Sequence, residues 1–249
     1  MVKKKSSSLE KLGFTEPNSI VIPRLISSIS GLDKQGKTHF GLTMPAPIAM
    51  FNTDIGEEGV VHKFGDKVVH TMDVGVPAEE ESDDAAGVWD KFKVGYYGAL
   101  EADDDDCRSL LIDTGTEVWE LMRLAEFGQL TQIMPYMYGP VNAKFRRLVR
   151  DGYKYGKNVM WLHKMKPKYV NDKRTAEYER SGFGDIPFLV QLNAQVWRYG
   201  VEDGGEFVLT ITNSRHEPDL IGEELEGEMC NFPMLASLVL PDVDVDYWE

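Results

Sequence analysis

The sequence predicts an α/β fold in three layers. A mostly parallel central sheet is covered by helices on both faces, and antiparallel strands are added late at one edge. Three observations predict it. Short β-prone runs alternate with helical patterns through the first two-thirds of the chain. The central runs are compact and apolar, as in strands buried on both faces. Two further runs near the end are joined by the turn residues Asp203-Gly204-Gly205, the mark of a hairpin.

In chain order, Arg24 to Ser30 (RLISSIS), Pro47 to Asn52 (PIAMFN) and the weaker Lys67 to Met72 are strand candidates. Ser109 to Asp113 (SLLID) is an apolar strand bounded by charge. Thr116 to Phe127 places Val118, Leu121, Met122 and Ala125 on one helical face, and Val141 to Tyr155 is a second amphipathic helix. Asn158 to His163 (NVMWLH) is a buried strand expected to end at the histidine, and Ala194–Tyr199 with Glu206–Thr212 forms the late hairpin. This divides the chain into a lead-in (1–20), a core (21–220) with an acidic insert (77–106), and an acidic C-terminal extension (221–249). The insert has room for a short helix around Ala85 to Phe92, with solvated ends. The final PDVDVDYWE suits a frayed edge strand, a tail or a docking peptide for a protein partner.

Composition narrows the function classes. The chain has 249 residues, 42% hydrophobic and 27% charged, an ordinary globular mix. No run of about 18 apolar residues suggests a membrane span. The basic start MVKKKSSSLEKLG lacks the apolar stretch of a secretory signal, so a cytoplasmic location is expected, in a bacterium or a phage-infected host. Cys107 and Cys230 are far apart and suit free thiols in a reducing compartment. The five histidines are scattered, so no structural zinc is expected. Net charge is −14, yet residues 144–174 carry +9 against −23 for the remainder. That local basic strip is the one nucleic-acid signal in an acidic chain.

The strongest motif is Gly31-Leu32-Asp33-Lys34-Gln35-Gly36-Lys37-Thr38, a complete G-x-x-x-x-G-K-[ST] phosphate loop between a strand and a helix start. A triphosphate needs several donors converging on a small volume, and a glycine-bounded loop can aim successive backbone N–H groups inward. Gly36 permits close approach, Lys37 supplies charge to the outer phosphates and Thr38 can ligate Mg²⁺. His39 follows in the first turn of the helix, whose free N–H groups extend the site. ATP and Mg²⁺ are therefore the expected ligands. Asp113 emerges at the end of an apolar strand, where a metal-organising carboxylate belongs, and Thr114 can bond to a metal-bound water. Asp54 is either a general base for the attacking water or a helix N-cap, with Glu57 and Glu58 as rivals. His163 is either a contact to the γ-phosphate or a strand-end histidine satisfied by backbone.

With these motifs the chain resembles the RecA-like branch of P-loop ATPases. More narrowly it looks like the short phage-encoded RecA-core proteins known as AAA-family ATPases or single-strand annealing proteins. The resemblance runs from about Leu25 to Glu217, through GLDKQGKT, FNTDIGEEG, LLIDTGTEVWELM and YGPVNAKFRRLVRDGYKYGKNVMWLHKMK. It implies that Lys37 and Thr38 hold phosphate and Mg²⁺, that Asp113 is the metal-site acid and that Asp54 activates water. It further implies that His163 senses the γ-phosphate and that Arg215 reaches a neighbouring subunit's nucleotide, which makes a homo-oligomer an expectation. The resemblance is to the core of RecA and does not extend to the flanking domains of the full-length protein, and the insert 77–106 has no counterpart.

Three functions remain open at this point. A DNA-associated ATPase of recombination and repair would use Lys144, Arg147, Arg150 and Lys154 on a helix, and Lys164, Lys166 and Lys168 in a mobile loop, to track single-stranded DNA. Tyr136, Tyr138, Tyr153 and Tyr155 would stack bases; the plainer reading is a solvated helix face with core aromatics. A small-molecule or nucleotide kinase would use Lys164–Arg180 as a lid. A nucleotide-dependent switch or assembly protein would need no DNA.

Overall fold

The computed structural model describes residues 9–15, 21–54, 58–78, 84–128, 133–200 and 205–249. Most of the lead-in (1–8 and 16–20), Glu57, residues 79–83 of the acidic insert, and Asp203 and Gly204 of the hairpin turn lie outside them.

The strands are β1 (Ile26–Gly31), β2 (Ile48–Asn52), β3 (Val69–Asp73), β4 (Ser109–Asp113), β5 (Asn158–Val170), β6 (Lys173–Arg180), β7 (Leu192–Tyr199), β8 (Glu206–Ser214) and β9 (Glu224–Glu226). Their order across the sheet is β3-β2-β4-β5-β1-β7-β8-β9, with β6 paired to β5 outside that path. Pairing is parallel from β3 to β7 and antiparallel through β8 and β9. The expected fold class is observed, and β5 separates the phosphate-loop strand β1 from the Asp113 strand β4.

The helices are α1 (Lys37–Gly41), α2 (Ala85–Glu101), α3 (Gly115–Phe127), α4 (Tyr138–Asp151), α5 (Ile186–Leu189) and α6 (Phe232–Val239). Successive strand side chains point to opposite faces, and this builds two cores. Leu110, Ile112 and Trp161 join Phe92, Tyr96, Val118 and Phe145 on the side of α2, α3 and α4. Leu111, Met160 and Leu162 join Phe40, Phe232 and Leu235 on the side of α1 and α6. Helix α1 is short: Pro45 and Pro47 follow it, and a proline disfavours helical backbone in the residue before it.

Three expectations about the chain's organisation change. Inside the acidic insert, α2 runs for 17 residues and buries Phe92, Tyr96 and Leu100 in the core, because its apolar positions recur at helical spacing. The C-terminal end packs on its own body. Trp248 is fully buried edge-on to Phe232, and Arg108 stacks on Tyr247 and bonds to the carbonyls of Tyr247 and Glu249. Finally, β5 does not stop at His163. It continues to Val170 and turns back as β6, so residues 165–180 form an antiparallel ribbon instead of a loop. Cys107 and Cys230 are both free thiols and buried.

Candidate nucleotide-binding site

The phosphate loop leaves the C-terminal end of β1 and is pressed against β7 and β8. A Cβ on Gly31 would lie 2.7 Å from the Val196 carbonyl oxygen. Gly36 has φ +94°, and a Cβ there would lie 2.3 Å from the Phe207 ring. Glycine at both ends is therefore a steric requirement. The Gln35 side-chain oxygen accepts a hydrogen bond from the Arg198 backbone N–H at 2.6 Å. His39 stacks on Phe207 with ring centroids 4.9 Å apart. Burial, with Lys63 and Arg198 nearby, pushes the His39 pKa down and favours a neutral ring. The loop is thus pre-shaped by its neighbours. Lys34 contributes a left-handed turn at φ 58°.

Charge converges just above the loop. The Lys37 ammonium donates to the carbonyl oxygens of Gly31 and Leu32 at 3.1 and 2.8 Å. Burial lowers its pKa, while Asp113 and Asp33 work to keep the charge. The Thr38 hydroxyl donates to Asp113 Oδ2 at 2.6 Å. Asp113 is buried, which raises its carboxyl pKa, opposed by that hydrogen bond and by Lys37. Thr53 supports the same strand end. Its hydroxyl donates to the Asp113 carbonyl oxygen at 3.0 Å and accepts from the Thr114 N–H at 2.8 Å. The Thr114 hydroxyl caps α3 by accepting from the Glu117 N–H.

The next position on β5 changes the assignment of the sensor. His163 lies on the Trp161 face, fully buried beneath Gly115 and Gly182. Burial and the nearby Arg180 hold its pKa well below the usual histidine value. Side chains alternate along a strand, so His163 faces the α3 layer, and the expected γ-phosphate contact is corrected on that ground. Lys164 points the other way. It lies opposite Gly31 in the β1–β5 register, and its ammonium bridges Asp54 at 3.0 Å and Glu117 at 2.7 Å. Burial disfavours the Lys164 charge, but the two acids outweigh it and raise the pKa.

Asp54 therefore sits in the site, tied to Lys164. Sequence reasoning passed over Glu117, although Thr114-Gly115-Thr116-Glu117 has the spacing of a helix-start capping box. Arg215 lies elsewhere. It follows β8, whose Ser214 pairs with Leu192 at the start of β7, and it donates to the Phe188 carbonyl oxygen at 2.7 Å. That is the opposite edge of the sheet from the phosphate loop, out of reach of the chain's own nucleotide.

The basic strip is largely neutralised in three dimensions. Lys144 pairs with Glu126, Arg146 with Asp185, and Arg147 and Lys154 with Asp151. Lys157 pairs with Asp104, Lys166 with Glu179 and Lys168 with Glu177. Arg150 is exposed on α4. Of the four tyrosines expected to stack bases, Tyr136 is 81% exposed. Tyr138 packs on Trp119 and Phe127, the Tyr153 hydroxyl bonds to the Leu189 carbonyl, and the Tyr155 hydroxyl bonds to Glu101.

A pre-shaped phosphate loop, a threonine–aspartate pair beside it and a parallel sheet with one strand between the two define a RecA-like P-loop ATPase core. The family described as AAA domain matches residues 26–183, well over half of the chain, and the chain belongs to it. Among solved structures it is similar to a KaiC-like protein of the hyperthermophilic archaeon Pyrococcus horikoshii OT3. The identity is 11%, the match covers 81% of this chain and 84% of that one, and the TM-score is 0.45. Comparison with curated proteins gives no match. Among the described residues, no helix is long and apolar enough to cross a membrane.

Proposed function

We propose that this chain is a Mg²⁺-dependent ATPase of DNA recombination or repair whose partner is single-stranded DNA, engaged by the β5–β6 ribbon. One observation carries the DNA part of this reading. The strand beside the phosphate-loop strand runs on into a ribbon, and cross-strand pairs Pro167–Tyr178 and Tyr169–Arg174 place Tyr169, Arg174 and Tyr178 on one face. Tyr169 is 62% exposed and Tyr178 41%, and the Arg174 guanidinium donates to the Tyr178 hydroxyl at 3.3 Å. Aromatic rings beside an arginine suit splayed bases and their phosphates. The opposite face carries the paired Lys166–Glu179 and Lys168–Glu177, whose charges are already balanced.

The residues fit Mg²⁺. Thr38 and Asp113 offer a hydroxyl and a carboxylate at 2.6 Å, all-oxygen donors of the kind Mg²⁺ takes when phosphates and water complete its shell. When bound, the ion would neutralise charge developing on the outer phosphates. The protein's own contribution is orientation. The loop amides and Lys37 would hold the phosphates, while Asp54 and Glu117 would orient the attacking water. In hydrolysis the water oxygen bonds to the terminal phosphorus as the bond to the bridging oxygen breaks. The diphosphate leaves with that electron pair, and the water's proton passes to a carboxylate or to the phosphate.

The test is binding of a labelled single-stranded oligonucleotide at several salt concentrations, with ATP and Mg²⁺ present. Tyr169→Ala with Tyr178→Ala should weaken binding by roughly 5- to 150-fold per stacked base. Lys166→Ala with Lys168→Ala should change the salt slope by less than the full two units expected of two free cations. No detectable binding at low salt would remove the DNA reading. Phosphoryl transfer to a nucleoside monophosphate would then select the kinase reading, and its absence the switch reading.

A further inference from the structure

The end of β2 carries a buried polar side chain that takes no part in the phosphate loop. Asn52 lies between two acids at one level of the sheet, opposite Asp73 on β3 and opposite Asp113 on β4. It follows Ile48 and Met50, whose side chains join the core on the α1 side, and alternation along the strand puts Asn52 on that side too. Asp113, two residues after Leu111, shares that face. The strand end is held on both flanks. The Asn52 carbonyl oxygen accepts from the Val74 N–H, and the Thr53 N–H donates to the Asp113 carbonyl oxygen, each at 2.7 Å. Asn52 itself is buried, and its side-chain nitrogen donates to Asp73 Oδ1 at 3.1 Å. A carboxylate only accepts, so Asp73 fixes which arm of the amide is nitrogen; the reversed amide would set oxygen against oxygen. With the nitrogen turned to β3, the oxygen turns away from it, toward the Asp113 strand. That oxygen is buried and meets no donor among the described residues. A buried acceptor without a donor calls for a partner that completes it.

We propose that Asn52 is a positioning residue of the Mg²⁺ site, its side-chain oxygen accepting a hydrogen bond from a water of the ion's shell beside Asp113. This rests on the nucleotide-site reading and deepens it. Mg²⁺ dehydrates reluctantly and keeps several waters when one or two protein oxygens and the phosphates bind it. Each of those waters donates hydrogen bonds and needs acceptors around it. Asp113 Oδ2 already accepts from the Thr38 hydroxyl, so a further acceptor at the same level of the sheet supplies what such a water lacks. An amide suits the place better than a carboxylate. It adds an oxygen acceptor without setting a second negative charge against the buried Asp113. Asp73 is the outer support. It is exposed, and its bond to the amide nitrogen holds the oxygen in its direction. Groups that orient the surroundings of a metal in this way typically carry about 10- to 100-fold of its affinity.

The experiment measures binding of a non-hydrolysable β,γ-imido ATP analogue by calorimetry, once with Mg²⁺ and once with EDTA in its place. The ratio of the two affinities is the gain the ion gives. The proteins are wild type, Asn52→Leu, Asn52→Asp and Asp73→Ala, and urea unfolding of each is followed in parallel. Asn52→Leu keeps a branched side chain and removes the acceptor. It should lose about 10- to 100-fold of the Mg²⁺ gain while keeping the affinity measured in EDTA. Asn52→Asp returns an acceptor oxygen and should restore most of the gain, although its charge beside Asp113 lowers stability in urea. A packing role would instead make gain and stability fall together. Asp73→Ala leaves the amide free to turn and should lose a smaller part of the gain; it replaces Asn52→Leu should that variant fail to fold by circular dichroism. A gain equal to wild type in Asn52→Leu, or in Asp73→Ala where that variant stands in, overturns the proposal. So does a gain that folded Asn52→Asp does not restore. Wild type that binds no analogue even with Mg²⁺ sinks the phosphate-loop reading itself. Wild type that binds equally with and without Mg²⁺ refutes the metal site and this proposal with it, and leaves the phosphate loop standing.

Discussion

Gly36→Ala gives the sharpest test of how the loop is shaped. The structure supplies two separate costs. The residue has φ +94°, and an L side chain in left-handed backbone costs about 1–2 kcal/mol. The new Cβ would also lie 2.3 and 2.6 Å from two atoms of the Phe207 ring, overpacking of a kind that costs about 1–3 kcal/mol. Together this is roughly 2–5 kcal/mol, against a typical total of about 5–15 kcal/mol. The variant should fold but unfold at visibly lower urea, and triphosphate affinity should fall because the loop amides no longer converge. Phe207→Ala in the same chain removes the collision and leaves the backbone strain. A double-mutant cycle should therefore show coupling of about 1–3 kcal/mol between positions 36 and 207. Urea unfolding of the four proteins measures it. A Gly36→Ala midpoint equal to wild type, or additive effects of the two substitutions, would refute the claim that β8 moulds the loop.

Further expectations concern single side chains. Lys37→Ala should lower nucleotide affinity about 30- to 150-fold with the fold intact, by loss of a charge-assisted contact of about 2–3 kcal/mol; calorimetry and circular dichroism check both halves. Asp113→Asn should reduce ATP turnover more than ATP binding, because charge beside the metal matters most in the transition state. Equal losses in kcat and affinity would contradict the metal-site role. Asp104→Asn should destabilise the fold by about 1 kcal/mol or less, since the Asp104 side chain is largely exposed and the buried Lys157 ammonium keeps the Cys107 carbonyl as an acceptor. Asp105→Asn serves as the exposed control in the same denaturation series. Trp248→Ala should cost about 3–5 kcal/mol, as expected for a fully buried tryptophan, and would leave thermal stability unchanged only if the C-terminal end were a loose tail.

The sequence by itself determined what depends on local order along the chain. The phosphate loop, the Asp113 strand and the α/β alternation are contiguous patterns. Each works through backbone geometry or period that neighbours in sequence dictate. What lay beyond reach depends on which face of an element meets which partner. His163 and Lys164 are adjacent in sequence, yet one residue along a strand reverses the face, so only the sheet register separated a buried ring from a cation at the nucleotide edge. Charge behaved the same way. A run of net +9 is a linear count, but Glu126, Asp185, Asp104, Glu117 and Glu179 reach its members from other elements and cancel most of it. The acidic flanks of α2 hid a helix whose buried side chains hold the core, and the acidic C-terminal end hid a docked tryptophan. Coulomb and packing interactions act through space, and the tertiary fold alone decides which distances they act over.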